Sequence, residues 1–238
     1  MRLDKFLADM NFGSRKEVKQ LIKKGWVEVN GQVIRSDKYQ VDENKDQIKV
    51  DGEQVKYQKD YYYLLNKPAG VVSATVDNFD ETVLDLFSDE DFREDLFPVG
   101  RLDKDTEGLL LIMNDGQLSH RLLSPKQHVD KEYYAQVAGI MTQEDVQTFA
   151  QGMTIDGGES CLPAELSIEA VDEVKQTSEI RLILHEGKFH QVKRMVQAVG
   201  KEVTYLKRLR MGQLWLDETL PLGAYRPLTP TERALLEN

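Results

Sequence analysis

The chain has 238 residues, 40% of them hydrophobic and 30% charged, which makes room for one large folded domain or two modest ones and excludes a disordered chain. Its single cysteine, Cys161, excludes an intramolecular disulfide and a cysteine-based zinc site, and no apolar run approaches the ~20 residues that span a bilayer. The net charge of −10, taken as an average, argues against nucleic acid as a partner. The opening Met1-Arg2-Leu3-Asp4-Lys5 carries charge where a signal peptide needs an apolar stretch, so a cytoplasmic protein is expected. Leu3, Phe6, Leu7 and Met10 then recur at helical spacing and predict a short amphipathic helix ending at Gly13. Ser14-Arg15-Lys16-Glu17 has the spacing of a capping box, and Val18, Leu21 and Ile22 form the buried stripe of a second helix stopped by Gly25. Trp26 to Val29 alternates as a strand into the hairpin signal Asn30-Gly31, and Ile48-Lys49-Val50 before Asp51-Gly52 reads as a second hairpin.

Residues 1–58 thus form a small module of two helices and short strands, and the polar stretch from Lys56 to Asp60 reads as a linker. A second domain, 61–238, opens with a strand at Tyr61–Asn66 stopped by Lys67-Pro68. The acidic stretch 77–95 reads as a helix or loop facing solvent. Gly108–Met113 is a continuous apolar run closed by Asn114-Asp115-Gly116, as in a buried strand. Helices follow near 117–123 and 142–151, strands near 133–137, 163–169 and 179–185, and a further helix starts near His190 with Val192, Met195, Val196 and Val199 as its core face. The expected fold class is α+β, with a mixed, mostly antiparallel sheet flanked by helices.

The average charge conceals an uneven distribution. Residues 1–24 hold seven bases (Arg2, Lys5, Arg15, Lys16, Lys19, Lys23, Lys24) against three acids, and residues 188–210 hold seven bases against Glu202 alone. Residues 77–95 hold nine acids against Arg93. With a Debye length of ~8 Å at physiological salt, such patches matter more to a polyanion than the total. Lys16, Lys19 and Lys23 share one helix face, which is either a solvated surface or a row of phosphate contacts. The segment Gly100-Arg101-Leu102-Asp103-Lys104-Asp105-Thr106-Glu107 is a polar loop feeding a buried strand. Its Asp103 is either a turn residue or a reactive carboxylate with Arg101 two residues away. The four histidines show no ligand spacing with carboxylates, and neither G-x-x-x-x-G-K-S/T nor G-x-G-x-x-G occurs, so no metal and no nucleotide cofactor is expected. Lys207-Arg208-Leu209-Arg210 is either a solvated strand end or an extension of a nucleic-acid track.

Two resemblances cover the chain. Arg2-Leu3-Asp4-Lys5-Phe6-Leu7, then Ser14-Arg15, then Gly25-Trp26-Val27-Glu28-Val29-Asn30-Gly31 resembles the S4 RNA-binding module over residues 1–50. That likeness makes Lys5, Ser14, Arg15, Lys16, Lys19, Lys23 and Asn30 the expected RNA contacts. Gly100-Arg101-Leu102-Asp103 through Leu111 resembles the G-R-L-D-x-x-T-x-G-L-L-L signature of pseudouridine synthases of the RsuA group. Asn66-Lys67-Pro68-Ala69-Gly70, Lys131-Glu132-Tyr133 and Glu186-Gly187-Lys188-Phe189-His190-Gln191-Val192-Lys193-Arg194-Met195 match that family's other motifs, in order, up to about residue 230. The resemblance implies that Asp103 is the catalytic carboxylate, that Lys193 pairs with it, that Tyr133 stacks on the target base and that Arg101 holds the extruded nucleotide. It also places His190, Gln191 and Arg194 at the substrate.

Such an enzyme breaks the uridine N1–C1′ bond, turns the uracil and rejoins it through C5, with no net oxidation or hydrolysis. The base must first leave its stack, at a cost of a few kcal/mol. Asp103 would act at the sugar as nucleophile or as base. Length, the S4-like module and the G-x-x-H-Q-V-K-R-M form lie nearest to enzymes acting on 16S rRNA of the small ribosomal subunit, so a monomer acting on an assembly intermediate is expected, although close relatives modify 23S rRNA. The rivals from other classes are a non-catalytic RNA-binding assembly factor and a nucleoside hydrolase with Asp105 as its second carboxylate.

Overall fold

The computed structural model describes residues 1–237, and the chain divides into two compact units at Asp60/Tyr61. In the first, α1 (Leu3–Asp9) begins on Arg2, whose guanidinium donates two hydrogen bonds of 2.9 Å to the buried Asp4 carboxylate. The next helix, α2 (Arg15–Lys24), starts on a complete capping box: Ser14 Oγ accepts from the Glu17 amide and the Glu17 carboxylate accepts from the Ser14 amide. It stops at Gly25, whose φ of 81° suits a residue without a Cβ. Val18 and Ile22 close over Leu3, Phe6 and Leu7 and over the inner face of a four-stranded antiparallel sheet. Its strands are β1 (Val27–Val29), β2 (Gln32–Val33), β3 (Ile48–Val50) and β4 (Glu53–Val55), in the order β2-β1-β3-β4. The two hairpin turns, Asn30-Gly31 and Asp51-Gly52, have positive φ at both central residues, the twist-compatible geometry those pairs encode.

The second unit is built on a nine-stranded sheet. Along the chain come β5 (Tyr62–Lys67), β6 (Phe97–Pro98), β7 (Glu107–Met113), α3 (Gly116–Leu123), β8 (Lys131–Ala138), α4 (Gln143–Gln151), β9 (Met153–Ile155) and β10 (Glu159–Cys161). They are followed by β11 (Glu165–Asp172), β12 (Thr177–Leu184), α5 (Gln191–Ala198), β13 (Glu202–Met211), β14 (Leu214–Trp215), β15 (Tyr225–Pro227) and α6 (Pro230–Glu237). The main path is β11-β12-β8-β13-β7-β5-β15, with β14 on β13 and β6 on β7; β9 and β10 pair separately. Only β13 and β7 run parallel, so the sheet is mixed and mostly antiparallel.

Both faces of β7 are covered, which is why its sequence is apolar without alternation. Leu109, Leu111 and Met113 pack with Leu118, Leu122 and Leu236, while Leu110 and Ile112 pack with Val71, Val83, Leu84, Phe87 and Leu96. The second of these sets corrects the reading of the acidic stretch 77–95 as a solvent-facing helix or loop. It has no helix, and Thr82, Val83, Leu84 and Phe87 turn inward while the acids around them stay outside. A third cluster unites Phe149 of α4 and Val192, Met195 and Val196 of α5 with the inner residues of β8, β11, β12 and β13.

The ten-residue β13 also corrects the reading of Lys207–Arg210 as an extension of a nucleic-acid track. Arg208 is 2% exposed and its Nε donates to the Leu109 carbonyl at 2.8 Å. Arg210 is held by Glu132 at 2.9 Å and Asp130 at 3.2 Å. These cations tie strands together. Where β7 meets β13, Gly108 has a φ of +102°, and a Cβ there would lie 2.2 Å from the Arg208 carbonyl oxygen. Gly108→Ala should therefore lower unfolding stability by roughly 2–4 kcal/mol, from backbone strain and overpacking together. A urea midpoint equal to that of the parent protein would show that the strands do not approach so closely.

Candidate active site

The loop between β6 and β7 carries Asp103, and its path is fixed from beneath. Leu102 is buried; its amide donates to Ser73 Oγ at 3.0 Å and its carbonyl accepts from the same hydroxyl at 2.8 Å. Lys67, at the end of β5, has no exposed surface. Its ammonium faces the carbonyls of Pro68 at 3.0 Å, Asp103 at 3.1 Å, Lys104 at 3.3 Å and Thr106 at 2.9 Å. The Gly70 amide donates to the Lys104 carbonyl at 2.7 Å, and the Thr106 amide to that of Asp103 at 3.0 Å. Burial pulls the Lys67 ammonium down to about 8, against the opposing pull of Asp105, Asp103 and Glu107. An ammonium is the group that can bind so many carbonyls at once, since it has three donors and no acceptor.

Above this support the Asp103 carboxylate meets two groups from α5 and the turn before it. Lys193 Nζ lies 3.2 Å from Oδ2 and His190 Nε2 lies 3.5 Å from Oδ1. With Val192, Met195 and Val196 turned into the core, Lys193 projects from the other side of α5. It also contacts Asp105 at 2.6 Å. Burial disfavours the Lys193 charge, but the hydrogen bonds it donates to Asp105 and Asp103 outweigh it and hold the ammonium above its ordinary value. The same bond from Lys193 holds the Asp105 carboxyl below the usual range. His190 adopts a left-handed conformation (φ 50°) just before α5.

Tyr133 sits on β8 opposite Leu182 and Arg208. Half-buried, it packs against the cluster that contains Leu102 and against the one that contains Val192, so it links the supports of Asp103 and Lys193. No hydrogen-bond partner for its hydroxyl occurs among the described residues. Arg101 is exposed and forms no ion pair among them. Gln191 and Arg194 do other work than expected. Gln191 is buried, donating to Glu186 at 2.9 Å and accepting from the Lys188 amide at 2.9 Å. The Arg194 guanidinium binds Asp156, Glu159 at 2.8 Å and the Phe189 carbonyl at 3.0 Å. Both fasten the turn 186–190 from within.

In the first unit, Lys5, Arg15, Lys16 and Lys23 are exposed and have no ion-pair partner among the described residues. Lys19 lies 3.7 Å from Asp37. Ser14 is engaged in its capping box, and Asn30 is a turn residue bonded to Asp46 and the Gln47 amide at 2.9 Å each. Among the described residues no three His, Cys, Asp or Glu side chains gather as a metal site, and no helix is long and apolar enough to cross a membrane. Sequence reasoning missed the roles of Lys67, Ser73 and Asp105. A lysine closing the largely apolar strand Tyr62–Lys67 was the one available signal.

Asp103 on its braced loop thus meets Lys193 from α5, with Tyr133 packed against the supports of both, and comparison with known proteins gives the class. Residues 61–198 match the family described as RNA pseudouridylate synthase, and residues 1–48 match the S4 domain. The chain is 48% identical over 236 residues to an uncharacterized RNA pseudouridine synthase of Bacillus subtilis, covering 99% of this chain and 98% of the relative. It is 43% identical to ribosomal small subunit pseudouridine synthase A of Vibrio cholerae (98% of both chains) and 40% identical to ribosomal large subunit pseudouridine synthase B of Bacillus subtilis (97% and 93%). A crystal structure of a pseudouridylate synthase superposes with a TM-score of 0.68 at 35% identity, covering 99% of each chain. The chain belongs to the RNA pseudouridylate synthase family and carries an S4 domain ahead of the catalytic domain.

The Lys67 support has a pH signature. Its value in the folded chain, about 8, lies below the ordinary 10.5, so the unfolded chain binds more protons between those limits. Stability contributed by this group therefore rises as pH climbs from 8 to 10.5, by up to ~3 kcal/mol. Lys67→Met should cost ~1–3 kcal/mol at pH 7, from orphaned carbonyls. In chemical denaturation at pH 7 and pH 10, the gap between parent and variant should widen; a flat or narrowing gap would rule burial out as the dominant cause.

Proposed function

We propose that the protein converts one uridine of 16S rRNA to pseudouridine, acting in the cytoplasm as a monomer on an assembly intermediate of the small ribosomal subunit. The observation that carries the chemistry is the contact of Asp103 with Lys193 on a loop whose backbone is braced by Lys67. Arg101, exposed and unpaired beside Asp103, fills the space left by the extruded uridine or holds that nucleotide in place. Asp103 then acts at the sugar: the N1–C1′ bond breaks, the uracil turns on the Tyr133 ring, and a C5–C1′ bond forms. The proton lost from C5 passes by way of the Tyr133 hydroxyl, and N1 gains one. Lys193, with its ammonium 3.2 Å from Asp103 Oδ2, sets a positive charge against that carboxylate in the cleft. The S4 domain, through Lys5, Arg15, Lys16 and Lys23, holds phosphates of the same RNA.

The choice of 16S rests on the full-length likeness to a small-subunit enzyme together with the compact two-domain length. The likeness to a large-subunit enzyme, nearly as great, favours 23S rRNA as the second reading. Mapping pseudouridine in both rRNAs of a deletion strain decides between them. Loss of a single 16S position is expected, loss at a 23S position would transfer the assignment, and no loss in either would end it.

Asp103→Asn should abolish product formation in single turnover while changing RNA affinity less than about threefold, because it removes charge and reactivity but little volume. Retained turnover in the purified variant would sink the role given to Asp103. Tyr133→Phe should bind RNA as the parent does and turn over ~10²–10⁴-fold more slowly, as loss of general acid–base help requires. Tyr133→Ala should in addition bind ~1–3 kcal/mol more weakly through lost stacking. A phenylalanine variant with the parent rate would leave the ring alone as the contribution of Tyr133.

A further inference from the structure

Phe189 is 76% exposed and belongs to no core cluster, yet its backbone is firmly held. Its carbonyl accepts from Arg194 at 3.0 Å, and Arg194 is itself clamped by Asp156 and Glu159. On its N-terminal side the Lys188 amide donates to Gln191 Oε1 at 2.9 Å, and Gln191 is anchored to Glu186. The turn therefore cannot relax to bury the ring. One face of that ring lies on the His190 imidazole, with centroids 3.8 Å apart and planes 19° from parallel. The Nε2 atom of the same imidazole is 3.5 Å from Asp103. The result is a two-ring ladder whose inner rung touches the reactive carboxylate and whose outer rung opens to solvent.

A planar apolar face extending such a ladder suits a planar ligand, and a nucleobase is the planar group that a pseudouridine synthase brings to this site. Other exposed apolar side chains lack this setting. Phe79 lies among Asp77, Asp80 and Glu81, where a polyanion is repelled, and Val174 lies in a turn beside Asp172 and Glu173. Phe189 instead lies against the His190 ring, which reaches the Asp103 carboxylate. The His190 ring stands between Phe189 and Asp103, so a base on the outer face belongs to a nucleotide neighbouring the one whose sugar meets the carboxylate. We propose that Phe189 is a stacking platform for a base flanking the target uridine, an inference that rests on the function proposed above. Because every base has an aromatic face, this contact adds affinity and sets the strand's position with little choice of sequence.

The test uses the full-length protein with Phe189→Ala, Phe189→Leu and Phe189→Trp. Unmodified 16S and 23S transcripts, each tested both free and assembled with ribosomal proteins, serve for kinetics. Oligoribonucleotides spanning the modified uridine, with 2-aminopurine at the 5′ or 3′ neighbour, serve for stacking. Phe189→Ala should raise KM about 5- to 150-fold, as loss of one stacked base implies, with kcat changed less than about threefold. It should also lose the fluorescence quenching that the parent protein produces at one neighbour. Phe189→Trp should keep both properties and Phe189→Leu should restore neither, while the melting temperatures of all three stay with the parent. Parent-like KM and quenching in Phe189→Ala would overturn the inference, as would rescue by leucine, which would mean an apolar wedge and not a stack. A fall in kcat alone would also overturn it, by placing the ring at the reacting nucleotide. A parent protein that makes no pseudouridine on either transcript would instead overturn the proposed function, and this inference with it.

Discussion

The position of the Asp103 carboxylate depends on an ammonium group that never reaches solvent. Lys67 gathers the carbonyls of Pro68, Asp103, Lys104 and Thr106 around one nitrogen and so closes a loop that has no regular secondary structure of its own. A loop of this kind ordinarily satisfies its carbonyls with water, and water leaves it mobile. Here a single cation replaces several waters, and Ser73 fixes Leu102 from the opposite side. Burial costs Lys67 part of its hold on a proton, yet at neutral pH it remains charged. The loop is thus held at Asp103 and leaves Arg101 exposed, a division that fits the roles proposed for the two residues.

A second constraint is the use made of positive charge. The chain carries 31 lysines and arginines, but many of those in the catalytic domain are internal fastenings. Arg194 closes the turn before α5, Arg210 joins β13 to β8, and Arg226 binds both Asp217 and Glu232. Exposed cations without an ion-pair partner among the described residues include Lys5 on α1, Arg15, Lys16 and Lys23 on α2, and Arg101 beside Asp103. A protein of net charge −10 can then hold a polyanion at a few chosen places and repel it elsewhere, above all along the acidic stretch 77–95.

These two constraints explain what could be read from the sequence and what could not. Local patterns were legible wherever a residue acts on its near neighbours: the Ser14–Glu17 capping box, the Asn30-Gly31 and Asp51-Gly52 turns, and the apolar run of β7. The motifs around Asp103, Tyr133 and Lys193 gave candidate residues, and the fold brings Asp103 and Lys193 to 3.2 Å. Partners distant in sequence were not legible. The basic alternation of β13 looked like surface because Glu132 and Asp130, which neutralise Arg210, lie far upstream. Gln191 and Arg194 looked like substrate contacts because their engagement with Glu186, Asp156 and Glu159 exists only after folding. Lys67 read as the end of a strand, since three of the four carbonyls that occupy it belong to a loop 36 or more residues away.

The parallel pairing of β7 with β13 sets when in the life of a chain the site can exist. Arg208 stands opposite Gly108, a hundred positions apart in the sequence, and the intervening chain must be laid down as β8, α4, β11, β12 and α5 before that pair can close. Contacts of such long range form late, because the loop they close must be ordered first. Asp103 and Lys193 lie on the two sides of this closure. On a ribosome, a nascent chain that has exposed its S4 domain and its Asp103 loop still lacks the helix that carries Lys193. Affinity for RNA can therefore arise during synthesis well before reactivity does, and the step between them is the arrival of one central strand.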